Sequence, residues 1–585
     1  MSKGDNSKTS PDKTLLYTYP DSAMSDTTTF IRQGGEREGA FFSSRSPVLA
    51  CNGMAATSHP LASQIALDVL KAGGSAVDAA IAANAALGLM EPTGSGIGGD
   101  LFALVWDPRT RRLVGLNASG AAPLALSYDH LRTLVGEDRQ IPLCGALPVT
   151  VPGAVDGWYM LHERFGRLPM GEVLAPAIRY ARAGVPLPQV IATAWSANAQ
   201  RFEAAAPQIA ELDNFRRTYL IAAKPPTEGM VFSNPDLADT LEQVATGGRA
   251  VFYTGEIARR IDAYMGRIGG FLRLADLERH TGLWVEPIGT TYRGYAVYEL
   301  PPNTQGIAAL IMLNLLEGFD LPNLGHNSAD YLHLQVEAKK LAYADRARYI
   351  ADPKVTTPVT GLLDKAYAAT RRKHIDPERA QDRLAAGYPS AADTVYLTTA
   401  DRDGLIVSLI QSNYVGMGSG LVPDGLGFML QDRGAQFSLR PDAANVYAPG
   451  KRPFHTIIPA FVLKEGEPFL SFGVMGGDMQ PQGHVQILCN LIDFGMDVQQ
   501  AGDAARYYHT NDNDPDGTTM VDGGRLNLEG GIAPPVRAEL ARRGHRVQMA
   551  APGLYGGYQA IQWDRLNRVF RGASEMRKDG QVCGY

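Results

Sequence analysis

A threonine can serve as a nucleophile without a neighbouring histidine or lysine when it begins a chain. Its own α-amine titrates near ~7.7–8.0 and can take up the hydroxyl proton at neutral pH. In this sequence of 585 residues, Thr394 stands where such a chain start could be made. Residues 393–413 read as a β-hairpin: two runs rich in Val, Ile, Leu and Thr flank Asp401-Arg402-Asp403-Gly404, a turn whose glycine can take φ > 0. Ahead of it lies Ala385-Ala386-Gly387-Tyr388-Pro389-Ser390-Ala391-Ala392, small residues with no helical or strand period. A chain can be cut in such a segment, and the candidate bond is Asp393–Thr394. A threonine opening a strand is ordinary on β-propensity alone, so the case depends on the rest of the chain.

The order of motifs elsewhere supplies it. Gly73-Gly74-Ser75-Ala76-Val77-Asp78-Ala79-Ala80, the glycine-rich Thr93–Asp100, Pro148–Trp158, Pro301–Gly306 and Phe472–Asp478 follow one another along the chain. In this order the sequence, from about Ala50 to Tyr585, resembles the γ-glutamyltransferase family of N-terminal-nucleophile hydrolases. The resemblance implies a four-layer αββα fold of the α+β class and a precursor that cuts itself. Residues 46–393 would become a large subunit and 394–585 a small one, the two remaining intertwined as one domain. It also implies that Thr394 forms an acyl-threonine intermediate, that Ser412 supplies a second hydroxyl beside it, and that Gly476 and Gly477 offer backbone N–H groups as an oxyanion hole. Glycines suit that last task because a missing Cβ lets the backbone approach the developing negative charge. Thr93–Asp100 does not fit a dinucleotide site, since a strand follows it where a helix is required. The resemblance implies that this segment passes close to the active site, and close backbone approach is then the better use of its glycines.

The resemblance is weaker for the substrate. Ser119 stands where the transferases carry an arginine for the substrate α-carboxylate, and serine cannot replace that fork of donors. His455 and Thr456 replace two serines, and Gln436 replaces an aspartate that pairs with the substrate ammonium. Arg433 could contact a carboxylate from a different side, as in relatives resembling cephalosporin or oxamate acylases. Leu439–Gly450 is too short for the family's covering lid, so an open site is expected. The activity implied is hydrolysis, or transfer to an amine, of a small-molecule amide of the γ-glutamyl type. An acylase or amidohydrolase acting on a glutaryl- or oxamate-type monoamide, and a binding relative that never cleaves, are the other readings.

Composition bounds these readings. Hydrophobic residues make up 45% of the chain, enough for a large core. A net charge of −6 with both signs mixed gives no basic stripe for nucleic acid and no polybasic membrane patch. Cys51, Cys144, Cys489 and Cys583 lack metal-ligand spacing, and no cofactor or metal is expected. Residues 1–45 read as a disordered polar leader without the apolar core of a secretory signal, so the expected location is cytoplasmic. A homo-oligomer of the processed pair is left open. His59 and the Asp345-Arg346 pair are assigned structural roles, the latter on an amphipathic helix containing Glu337–Arg346.

Overall fold

The computed structural model describes residues 43–136, 140–354, 359–382, 394–511, 513–516, 520–549 and 553–585. Asp393, the segment 385–392 and most of the expected leader lie outside the described residues. Of that leader, Ser44 is hydrogen-bonded to Asp503 Oδ2 through its backbone N–H (2.6 Å) and its hydroxyl (2.7 Å).

Fourteen strands build two main sheets: β1 (Val48–Ala50), β2 (Gly53–Thr57), β3 (Asp100–Asp107), β4 (Arg112–Ala118), β5 (Leu283–Val285), β6 (Ile288–Tyr292), β7 (Tyr295–Glu299), β8 (Val395–Asp401), β9 (Ile406–Ser412), β10 (Ala460–Lys464), β11 (Glu467–Met475), β12 (Gly557–Asp564), β13 (Val569–Ser574) and β14 (Gln581–Gly584). One sheet runs β1-β13-β12-β11-β10-β7-β6 and the other β14-β2-β8-β9-β3-β4-β5, and every pairing in both is antiparallel. Both sheets combine strands from before and after position 393, so neither part of the chain could complete a sheet alone.

Alternation along the strands creates the layers. Val395, Leu397, Leu101, Ala103, Val105, Val407 and Leu409 face helices, among them α1 (Pro60–Lys71) and α2 (Ala76–Met90). Their neighbours Tyr396, Phe102, Leu104, Trp106, Ile406 and Ile410 meet Phe461, Met475, Ile561 and Phe570 of the other sheet. The outer face of that sheet, with Val297, Val462, Leu470, Phe472 and Val474, is covered by α3 (Gly306–Leu316), α4 (Ala329–Tyr349) and α5 (Met479–Ile492). The result is the expected αββα sandwich.

His59 has the structural role expected of it. It caps α1, its Nδ1 accepting the Leu61 N–H (3.2 Å), and burial lowers its pKa to about 4, which keeps the ring a neutral acceptor. Ser75 and Asp78 form a capping box at α2. Two expectations for α4 are corrected. The helix is buried nearly all round rather than amphipathic, with Glu337 and Lys340 buried as an ion pair at 2.7 Å. Asp345 and Arg346 do not pair with each other, because adjacent helical side chains point about 100° apart. Asp345 meets Arg371 (2.9 Å), and Arg346 meets Asp478 (2.6 Å). Among the described residues, no helix is long and apolar enough to cross a membrane.

Candidate active site

The β8–β9 hairpin brings the two hydroxyls together. Val395 pairs with Gln411, which sets Thr394 opposite Ser412, and Thr394 Oγ1 lies 3.5 Å from Ser412 Oγ. Ser412 Oγ accepts the Tyr414 N–H at 2.9 Å, which fixes its position. The glycine-rich segment packs directly on this end of the hairpin. A Cβ on Gly94 would lie 3.1 Å from the Thr394 carbonyl carbon, and one on Gly99 2.3 Å from the Ser412 carbonyl oxygen. Only glycine permits that approach, as the sequence led us to expect. The same packing leaves Thr394 only 2% exposed. The expected open site is therefore not seen in the single chain, although the stretch after Phe437 is indeed a short connection that folds back with Tyr447 N–H on Ser438 O at 2.9 Å.

Arg433 dominates the neighbouring region. Its Nη1 donates to Thr456 Oγ1 (2.8 Å) and its guanidinium stacks on the Tyr414 ring at 4.5 Å. Arg433 is fully buried, yet its Nε and Nη2 have no hydrogen-bond partner among the described residues. Beside it, Gln436 Nε2 donates to the Tyr414 hydroxyl while Gln436 Oε1 has no hydrogen-bond partner among the described residues. Buried polar groups are nearly always hydrogen-bonded, so this concentration of unmet donors and acceptors marks a place that a polar ligand can complete. Burial lowers the Arg433 pKa to about 10, opposed by Asp100, Tyr414 and Asp432. Burial raises Asp100 to about 7 against the pull of Arg433, and raises Asp432 to about 7 against the pull of Arg201.

The structure thus gathers Arg433, Gln436 and Thr456 around Tyr414. It does not gather Ser119 and His455 in the same way. Ser119 Oγ donates to Asn117 Oδ1 (2.7 Å) and accepts from Asn303 Nδ2 (3.3 Å). His455 Nε2 meets Asp100 Oδ2 at 3.0 Å, and burial followed by Arg433 hold the ring neutral, far below its ordinary pKa. Ser119 is committed to the protein interior, whereas His455 keeps its Nδ1 without a hydrogen-bond partner among the described residues. Tyr414, Asp100 and Asp432 were missed by sequence reasoning. Their adjacency to Ser412, the glycine-rich run and Arg433 was the available signal.

Gly476 and Gly477 follow β11 with φ of +116° and +58°, and Gly476 O accepts the Met479 N–H at 3.0 Å as α5 begins. A Cβ on Gly476 would sit 3.1 Å from Gly556 Cα. Gly476→Val should therefore distort the turn and lower kcat by about 10²-fold, the cost of one misplaced oxyanion donor. A folded variant with kcat close to the parent's would place those donors elsewhere.

One group of metal-ligating side chains lies close together among the described residues: His333, Glu337 and His545. Most of its atoms are already engaged, His545 Nδ1 being without a hydrogen-bond partner among the described residues. His333 Nδ1 meets His545 Nε2 (2.8 Å), His333 Nε2 meets Asp376 O (2.8 Å), and the Lys340 ammonium lies on Glu337.

The sandwich is that of an N-terminal-nucleophile hydrolase. The chain belongs to the γ-glutamyltranspeptidase family, whose sequence model matches residues 62–585. It is 35% identical to a glutathione hydrolase-like YwrD proenzyme of Bacillus subtilis, covering 92% of this chain and 99% of that one. It is 34% identical to an oxamate amidohydrolase proenzyme of Klebsiella pneumoniae, with coverage of 92% and 99%. A cephalosporin acylase from Bacillus halodurans superposes with a TM-score of 0.86 at 42% identity, covering 95% of this chain and 99% of that one. The chain is accordingly a self-processing enzyme of the hydrolase and acyltransferase type.

Proposed function

We propose that cleavage of the Asp393–Thr394 bond frees Thr394, and that the enzyme then hydrolyses amides whose acyl group ends in a carboxylate. Thr394 Oγ1 forms a bond to the amide carbonyl carbon, and its proton passes to the new α-amine, directly or through one water. The N–H groups of Gly476 and Gly477 stabilise the oxyanion. The C–N bond breaks, the α-amine returns the proton to the leaving amine, and an ester on Thr394 remains. Water, or an acceptor amine, then releases the acyl group. Ser412 steadies the attacking hydroxyl, while Arg433 and Thr456 hold the distal carboxylate.

One observation carries the choice of substrate: the buried Arg433 has two donors without a hydrogen-bond partner among the described residues, in the fork geometry that suits a carboxylate. Gln436, a neutral amide, offers an α-ammonium no charge partner. We therefore expect a glutaryl amide to be cleaved at least as well as its γ-glutamyl counterpart. The test is kcat/KM for glutaryl-p-nitroanilide against γ-glutamyl-p-nitroanilide on one preparation. A 100-fold preference for the γ-glutamyl donor would overturn this reading of the pocket.

The pocket's charge should depend on pH. Asp100 and Asp432 hold their protons until about pH 7, so below that the surroundings of Arg433 are more positive and favour an anionic acyl group. As pH rises through about 7 the two carboxylates ionise and compete for the guanidinium. KM for the glutaryl donor should then rise several-fold between about pH 6 and about pH 8.5, and Asp432→Asn should flatten the rise. A parent KM that falls over that range would contradict the assignment.

A further inference from the structure

The turn at Gly476-Gly477 and the segment carrying Thr456 belong to different elements, yet one side chain ties them together. Gln305 stands just before α3 and is fully buried. Its Nε2 donates both to Thr456 O (2.5 Å) and to Gly477 O (2.9 Å), while its own backbone N–H donates to His455 O (3.1 Å). Its Oε1 accepts from Arg346 Nη1. The amide can stand only one way round, because a flip would set its oxygen against two carbonyls and its N–H groups against a guanidinium.

Arg346 is itself held by several partners. It reaches from α4 to Asp478 Oδ1 (2.6 Å) and Asn513 O (3.0 Å), and stacks on the Tyr343 ring at 3.9 Å. The Tyr343 hydroxyl donates to Asp478 O, the next carbonyl after Gly477. Burial alone would make Arg346 a weaker base, but Asp478 and then Asp514 outweigh it and keep the cation charged.

We propose that Gln305 is a positioning residue that sets the oxyanion turn and the carboxylate-binding segment relative to each other, with Arg346 holding its amide in register. Through Thr456, whose hydroxyl receives Arg433 Nη1, the same side chain fixes the distance between the scissile carbonyl and the acyl carboxylate. Gln305 touches no reacting atom. It acts by keeping two binding devices at one spacing, which is where loosely supported sites lose activity. The inference rests on the proposed roles of Thr394, the glycine pair and Arg433.

The test uses the processed enzyme and two donors, glutaryl-p-nitroanilide and butyryl-p-nitroanilide, which lacks the distal carboxylate. Gln305→Glu keeps the shape and the acceptor for Arg346 but removes both donors. It should lower kcat for the glutaryl donor about 30-fold or more, and lower the glutaryl-to-butyryl ratio of kcat/KM about tenfold, because the carboxylate no longer meets Arg433 when the carbonyl is in place. Gln305→Met, an apolar side chain of similar length, should do the same if the glutamate variant fails to fold. A role confined to stability would lower the melting temperature and the yield of active enzyme while leaving that ratio unchanged. An unchanged ratio, with or without a fall in kcat, overturns the proposal. A parent enzyme that cleaves neither donor would instead defeat the substrate reading beneath it.

Discussion

Thr394→Ala should purify as one uncut chain with no measurable amidase activity, whereas the parent should give two bands on a denaturing gel without added protease. Both effects have one cause. The hydroxyl that attacks the preceding carbonyl during self-cleavage is the hydroxyl that later attacks the substrate, and alanine removes it while leaving the backbone of the hairpin intact. The loss should be at least about 10⁴-fold, since removing a covalent nucleophile leaves only the contribution of the oxyanion donors and binding. Thr394→Ser is the matching control, because it keeps the hydroxyl and should retain both cleavage and activity. The fold should survive the alanine change: Thr394 precedes β8 and makes no strand pairing of its own, while Val395 to Ala400 pair with Gln411 to Ile406. Two bands from the alanine variant would move the nucleophile elsewhere.

Arg433→Met should have the second largest effect, and a selective one. The variant retains length and apolar bulk beneath Tyr414 but loses every guanidinium donor. Two charge-assisted hydrogen bonds to a carboxylate contribute about 1.5–3 kcal/mol each. At about 1.4 kcal/mol per decade, their loss should reduce kcat/KM for the glutaryl donor by roughly 10²–10⁴-fold. The butyryl donor has no carboxylate to lose and should change less than about threefold. Without the opposing guanidinium, Asp100 should also hold its proton to higher pH, since burial is already its largest influence. An equal fall for both donors would make Arg433 a support for the fold rather than a contact for the substrate.

Much of this architecture could be read from the residues because it depends on local patterns. The hairpin from Val395 to Ser412 shows strand periods and a turn at Asp401–Gly404, and its register follows from them. That the Thr93–Asp100 run passes close to the active site came from the family resemblance, and the structure adds that Gly94 and Gly99 are the positions packed on Thr394 and Ser412. Other features have no local signature. Tyr414 adopts φ +89°, a backbone conformation costly for an aromatic residue, and nothing in its neighbours announces it. Charged residues on α4 pointed to a solvent-facing side, but Glu337, Lys340 and Arg346 find partners inside the protein and are buried. Ser119 and His455 match family positions that touch substrate, yet Asn117 and Asn303 hold the Ser119 hydroxyl and Asp100 holds His455 Nε2. Those partners are far away in sequence, and only the folded chain brings them together.

The account depends most directly on where the smaller chain begins and on what it carries. Intact-mass spectrometry of the parent, followed by rapid acid quenching after mixing with glutaryl-p-nitroanilide, measures both at once. The predicted result is a small chain spanning residues 394–585, part of which gains the mass of one glutaryl group located on the peptide that begins with Thr394. A small chain that begins at any other residue, or an acyl group located on any other peptide, would contradict the account.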